Sequence, residues 1–223
     1  MTTLDTAPLA PLLDRLFNEA EAPASPATRS ALAGVRLDRR ASTGAADYPD
    51  YLEFYARAKD VYLAVSRETA RLLYMLVRST GARSIVEFGT SFGISTLHLA
   101  AGVRDNGGDG RVITTEFEPS KVERARENFV AGGLADLIEL REGDAVKTLA
   151  HDLPGRIELV LLDGAKSLYP VVLALLEDRL VPGALVVADN ADSSPEYLQR
   201  VRSVGEGYTS VPFGGDVELS MRD

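Results

Sequence analysis

Cysteine is absent from the 223-residue chain, and histidine occurs only as His98 and His151. Without thiols there is no disulfide framework, thiolate zinc site, iron–sulfur cluster or cysteine nucleophile. Two histidines also exclude a histidine-rich metal site. Long apolar runs are missing: nothing approaches the ~20 residues that a membrane span needs. The amino terminus, MTTLDTAPLAPLLDRLF, carries Asp5 and Asp14 where a secretory leader would be basic. The expectation is a soluble, cytoplasmic protein without a membrane partner. Basic residues are outnumbered, 24 against 33 acidic ones, for a net charge of −9. That balance argues against a nucleic-acid partner, because phosphate neutralisation dominates such affinity. It leaves room for small polyanions held by backbone groups.

What is present is ordinary globular composition, 45% hydrophobic and 26% charged. The length suits one large domain, or one domain with an appendage. Residues 1–60 differ from the rest. Leu9, Leu12, Leu13, Leu16, Phe17 and Ala20 repeat at the spacing of one helical face. The prolines of APASPA (22–27) then break the pattern, and Leu37 to Pro49 reads as a loop. An aromatic group follows, Tyr48, Tyr51, Phe54, Tyr55 and Tyr62, whose helical spacing predicts core packing rather than a substrate pocket. Residues 1–60 read as a helical cap or subunit-contact arm on a domain spanning 61–223.

From Ser66 the pattern is regular. Ser66 is placed to cap a helix over RETARLLYMLVRST that Gly81 ends, with Leu72, Leu73, Leu76 and Val77 on its buried face. Apolar runs at SIVEFG (84–89), RVITTEF (111–117), LIELREGD (137–144), IELVLLDG (157–164) and ALVVADN (184–190) predict strands. The last two are nearly uninterrupted, as in parallel strands buried on both faces. Between them, Pro119 opens a helix that Val122, Ala125, Phe129 and Val130 bury and Gly132-Gly133 stops. YTSVPF and DVELSMR around Gly214-Gly215 predict a closing hairpin. Strands alternating with helices imply an α/β, doubly wound, mostly parallel sheet with an antiparallel terminal hairpin.

Ligands in such folds bind beyond the carboxyl ends of the strands. The first strand runs into Glu87-Phe-Gly89-Thr-Ser91-Phe-Gly93-Ile-Ser95, a glycine turn that lets a ligand approach backbone amides at a helix start. The spacing is not G-x-G-x-x-G, so the dinucleotide fingerprint fails. Glu116 ends the second strand, placed to accept two ribose hydroxyls; Glu118 suits a helix-capping role instead. Asp144, in Gly143-Asp144-Ala145, could accept an adenine amine or simply shape a turn. Asp163-Gly-Ala-Lys166 and Asp189-Asn190 end the fourth and fifth strands. Singly each fits a cap or turn. Together they bring two carboxylates and an amide oxygen to neighbouring strand ends, a hard-oxygen set suited to magnesium, manganese or calcium. Lys166 adds a candidate base.

VEFGTSFGISTLHLA, VITTEFEPSKVERARENF, GDA, LLDGAKSLY and LVVADN stand in the order and spacing of a known family. The chain, from about Tyr62 to Met221, resembles the cation-dependent, S-adenosylmethionine-dependent O-methyltransferases, which include catechol and caffeoyl-CoA enzymes. The resemblance implies a Rossmann-like class I methyltransferase sheet of seven strands. It places Glu87, Gly89, Ser91 and Ser95 along the methionine part of S-adenosylmethionine, with Val65 over it. Glu116 would hold the ribose, Asp144 and Ala145 would flank the adenine, and Asp163 would also face the cofactor. Asp163, Asp189 and Asn190 would hold the divalent cation, magnesium foremost, and Lys166 would be the general base. The implied partners are a small hydroxylated acceptor of catechol type and a second copy of the chain, as a homodimer.

Two departures stand out. Gly164 and Ala165 replace bulky residues that catechol enzymes carry before the lysine, so a wider acceptor slot is expected. SVPFGGD has no clear equivalent of the carboxylate that contacts the second catechol hydroxyl there. Competing readings are a nicotinamide dehydrogenase, which gives Asp163, Lys166, Asp189 and Asn190 no role, and a non-catalytic or metal-independent relative, in which those residues should be eroded.

Overall fold

The computed structural model describes residues 1–23 and 55–223. Tyr48, Tyr51, Phe54 and the loop expected at 37–49 lie outside the described residues. Seven strands form one sheet in the order β3-β2-β1-β4-β5-β7-β6. They are β1 (Ser84–Phe88), β2 (Arg111–Glu116), β3 (Ile138–Glu142), β4 (Ile157–Leu162), β5 (Leu180–Ala188), β6 (Tyr208–Phe213) and β7 (Val217–Arg222). The first five pair in parallel; β7 runs antiparallel between β5 and β6. The terminal hairpin is therefore present, and the sheet is doubly wound as expected.

The helices are α1 (Leu9–Glu21), α2 (Arg67–Thr80), α3 (Ile94–Asp105), α4 (Pro119–Ala131), α5 (Ala145–Thr148), α6 (Tyr169–Leu176) and α7 (Pro195–Arg202). Side chains from α1 to α4 pack on one face against Ile85, Leu159, Leu161 and Val187. Those from α5 to α7 pack on the other against Val86, Val160, Leu162 and Val186. Alternate residues of β4 thus enter opposite cores, which is why the strand is apolar throughout from Leu159 to Leu162. The sheet ends on β3 and β6, where Glu139 and Arg141 on one edge and Pro212 on the other discourage further strand pairing.

Local chemistry accounts for most element boundaries. Ser66 Oγ accepts the Thr69 amide at 3.0 Å, and Gly81 closes α2 at φ +69°. Pro119 occupies the first turn of α4, with Glu118 accepting the Lys121 amide at 2.9 Å as its cap. Three expectations shift. Val130 is 70% exposed, because the helical turn carries it off the Val122–Ala125–Phe129 stripe. Leu72 and Leu76 are only partly buried, while Thr69 and Ala70 complete the face of α2. β5 begins at Leu180 rather than Ala184, and a register shift between Ile157 and Leu159 absorbs Pro182-Gly183. No helix among the described residues is long and apolar enough to cross a membrane.

The buried face of α1 (Leu9, Leu12, Leu13, Leu16 and Phe17) joins the same core as α3. Beneath it His98 is 3% exposed, with Nδ1 2.8 Å from the Ile94 carbonyl and its ring edge-on to Phe17. Burial holds its pKa down at about 4, against 6.5 for the free side chain. A histidine that resists protonation only when folded leaves stability intact above pH 6.5. Stability then falls toward pH 4, by at most about 1.4 kcal/mol per pH unit, as the unfolded chain takes a proton the native state refuses. Urea midpoints should fall over that window more steeply for the wild type than for His98→Leu; parallel slopes would remove His98 as the cause.

Candidate active site

The carboxyl ends of β1, β2 and β4 open onto a cleft, the usual place for a ligand in such a sheet. Gly89, Ser91, Glu116, Asp144, Ala145 and Asp163 line it, as the sequence predicts. A recess of about 190 Å³ beside it is walled by Tyr62, Leu63, Ala64, Ser91 and Ser95 at the start of α3. Val65 lies just beyond, buried, and does not line either space.

Gly89 is required by the neighbouring strand as well as by any ligand. At φ +104°, a Cβ would sit 2.7 Å from the Asp163 carbonyl and 2.8 Å from the Gly164 nitrogen. Gly89→Ala therefore forces β1 and β4 apart where Asp163 is aimed. We expect a loss of several kcal/mol of stability, of the order seen when backbone strain and overpacking combine, together with weaker ligand binding. Thermal melts of both proteins check this; an unchanged Tm contradicts the close approach.

Glu116 is partly buried, and its carboxylate accepts three backbone amides. Ser91 N donates to Oε2 at 2.8 Å, and Phe117 N and Glu118 N donate to Oε1 at 2.9 and 3.0 Å. Burial raises its pKa and those bonds oppose the rise. Asp144 caps α5, with Oδ1 accepting Val146 N at 3.0 Å, and lines the cleft as well, so the turn and binding readings coexist. Glu87 lies fully buried beneath the glycine turn rather than on the cleft wall. Its Oε2 accepts Thr96 and, at 2.6 Å, Thr114, while Oε1 has no partner. Burial lifts its pKa to about 7. Ser91 Oγ and Thr115 Oγ1 are likewise buried and unpaired. Orphaned polar atoms are costly, and Ser91 and Thr115 line the cleft, where a polar cofactor would complete them.

Adjacent registers of β4 and β5 set Asp163 and Asp189 side by side, and Asp189 N bonds the Leu162 carbonyl at 3.0 Å. Lys166 Nζ donates to Asp163 Oδ1 at 2.9 Å and to Tyr169 Oη at 2.8 Å. Tyr169 in turn donates to the Asp189 carbonyl at 2.8 Å. Burial, then the Asp163 charge, pushes Asp189 up to about 7; burial also raises Asp163, against the pull of Lys166. Asn190 sits in the left-handed region at φ +49°, which asparagine tolerates. Its Nδ2 donates to Asp216 Oδ2 at 2.6 Å. Among the described residues no three His, Cys, Asp or Glu side chains form a metal cage. The cation set would consist of two carboxylates and the Asn190 oxygen. Two mutually repelling carboxylates with an amide are the right donors for a hard cation.

Four features escaped sequence reasoning. Asp216, in the terminal turn, supplies a carboxylate beside Asn190 that SVPFGGD did not reveal; only its position after the glycines could have hinted at it. Tyr169 anchors Lys166. Tyr55 lines the cleft as well as packing against the core, and burial raises its pKa. The wider slot expected at Gly164 is not open there, because the Phe88 ring already occupies the place a Cβ would take.

This doubly wound sheet, with its binding cleft at the strand ends, has the fold of class I methyltransferases. A family model described as O-methyltransferase matches residues 47–195, and the chain belongs to that family. It is 35% identical over 128 residues to a catechol O-methyltransferase of Mycobacterium tuberculosis, and 30% identical over 131 residues to one of Niastella koreensis. Each match covers 57% of this chain, and 57% and 58% of those proteins respectively, so the chain spans little more than half the length of the curated relatives it matches. Cofactor-bound Rv0187 from MTB superposes with a TM-score of 0.66 at 25% identity, over 97% of both chains. An O-methyltransferase from Bacillus cereus in complex with SAH gives 0.66 at 21% identity, over 95% of this chain and 97% of that one, a likeness of fold alone.

Proposed function

We propose that the protein transfers a methyl group from S-adenosylmethionine to a hydroxyl of a small vicinal dihydroxy aromatic acceptor, with a divalent cation bound by Asp163, Asp189 and Asn190. The observation that carries this reading is the meeting of those three residues and Lys166 at the edge of the cleft that holds Gly89, Glu116 and Asp144. The names of the catechol O-methyltransferase relatives support the acceptor class.

When bound, adenosylmethionine supplies a sulfonium methyl electrophile, and the cation stabilises an aromatic oxyanion. The protein's part is binding, orientation and proton handling. Glu116 accepts from the ribose, Asp144 faces the adenine, and the unpaired Ser91 Oγ on the cleft wall awaits the methionine end. Asp163, Asp189 and Asn190 would hold the cation, and Lys166, anchored at Nζ by Tyr169, would take the acceptor's proton after giving one of its own to solvent. Phe88 and Tyr55 give the cleft apolar walls against which an aromatic ring can lie. Asp216 holds the Asn190 amide by its nitrogen, which turns the Oδ1 acceptor away from that bond.

The reading is tested by incubating the protein with adenosylmethionine, magnesium and a panel of catechols, hydroxycinnamates and monophenols, with products read by mass. Methylation of vicinal diols in preference to monophenols is expected. No methylated diol, from protein that demonstrably binds the cofactor, would reject it.

A further inference from the structure

Lys121 is only 2% exposed, yet it lines the cofactor cleft. It stands in the first turn of α4, with Nζ 5.4 Å from the centroid of the Phe92 ring. The charges facing it are Glu116, Glu118, Asp163 and Asp60. Glu118 is spent on the Lys121 amide and on Ser120 Oγ, and Asp163 on Lys166. Among the described residues none hydrogen-bonds Lys121 Nζ, and none lies within ion-pair distance of it. A lysine ammonium has three donors, and these are reached only from the cleft that Lys121 lines.

Its neighbour Glu116 has the complementary deficit. A carboxylate offers about four acceptor positions, and three are taken by the amides of Ser91, Phe117 and Glu118. One position, on Oε2, remains. A ribose diol brings two hydroxyls, each both donor and acceptor, so a nearby donor can complement what Glu116 accepts.

We propose that Lys121 is a second ribose-binding residue: its ammonium donates to an oxygen of the cofactor's diol, while the diol donates to the remaining position on Glu116. The acid and the ammonium face the same cleft without touching, and the diol bridges them. This rests on the adenosylmethionine reading above. It also accounts for a buried lysine that no described side chain neutralises.

The test is calorimetric, with S-adenosylhomocysteine and its 2′-deoxy and 3′-deoxy analogues as probes. Lys121→Met should bind S-adenosylhomocysteine roughly 10- to 100-fold more weakly than the wild type, the worth of a charge-assisted hydrogen bond. The wild type should bind at least one deoxy analogue about tenfold or more weakly than the parent, and Lys121→Met should no longer distinguish that pair. Unliganded Lys121→Met should melt no lower than the wild type, since it replaces an unpaired ammonium with an apolar near-isostere. Lys121→Gln, which keeps a neutral donor, should fall between them in affinity. Wild-type affinity in Lys121→Met overturns the proposal, as does an equal loss for parent and deoxy analogues. Failure of both variants to fold also overturns it, because the ammonium would then serve the core. A wild-type protein that binds no S-adenosylhomocysteine defeats the underlying reading instead, and so the two failures are told apart.

Discussion

Lys166→Ala should bind adenosylmethionine as the wild type does and lose turnover ~10²–10⁴-fold at neutral pH, the usual cost of a missing general base. The deficit should shrink as pH rises, because a phenolic hydroxyl near pKa ~10 then loses its proton to solvent without help. Lys166 also pairs with buried Asp163, so a drop in stability alone would be ambiguous. Lys166→Arg separates the two roles. A guanidinium can keep the ion pair but cannot give up its proton, so this variant should stay folded and remain as inactive as Lys166→Ala. Substantial turnover in either variant at pH 7, measured under single-turnover conditions, takes the lysine out of the chemistry.

Removing the cation, or one of its carboxylates, should have a comparable effect. Dialysis of the wild type against EDTA is expected to abolish methyl transfer and leave S-adenosylhomocysteine binding intact, with magnesium restoring activity. Asp189→Asn should be inactive at magnesium concentrations that saturate the wild type. Binding to the native state alone stabilises it, by about 2.7 kcal/mol at a hundredfold excess over Kd. Added magnesium should therefore raise the Tm of the wild type and leave that of Asp189→Asn unmoved. Asp189 and Asp163 lie beside each other, and among the described residues Lys166 pairs with Asp163 and not with Asp189. Undiminished turnover in excess EDTA would show that the carboxylates act without a metal.

The sequence by itself determined the sheet and the strand-end acids. Strands buried on both faces must be apolar along their buried length, so LVLL and ALVVA could scarcely be anything else, and the first polar residue after each marks the edge of the ligand-binding side. Asp163, Asp189 and Glu116 were legible for that reason, and Ser66, Gly81 and Glu118 because caps act over a few residues of chain. The tertiary structure alone decided what depends on contacts between distant segments. Asp216 meets Asn190 only because β7 turns back beside β5. Phe88 fills the space over Gly164 because the ends of β1 and β4 nearly touch. Lys121 reads as one more surface charge on a polar helix until that helix lies beside the cleft and sets the side chain into its wall with Glu116. Periodicity and capping are local properties of a chain; which side chains share a cavity depends on how the sheet brings its crossovers together.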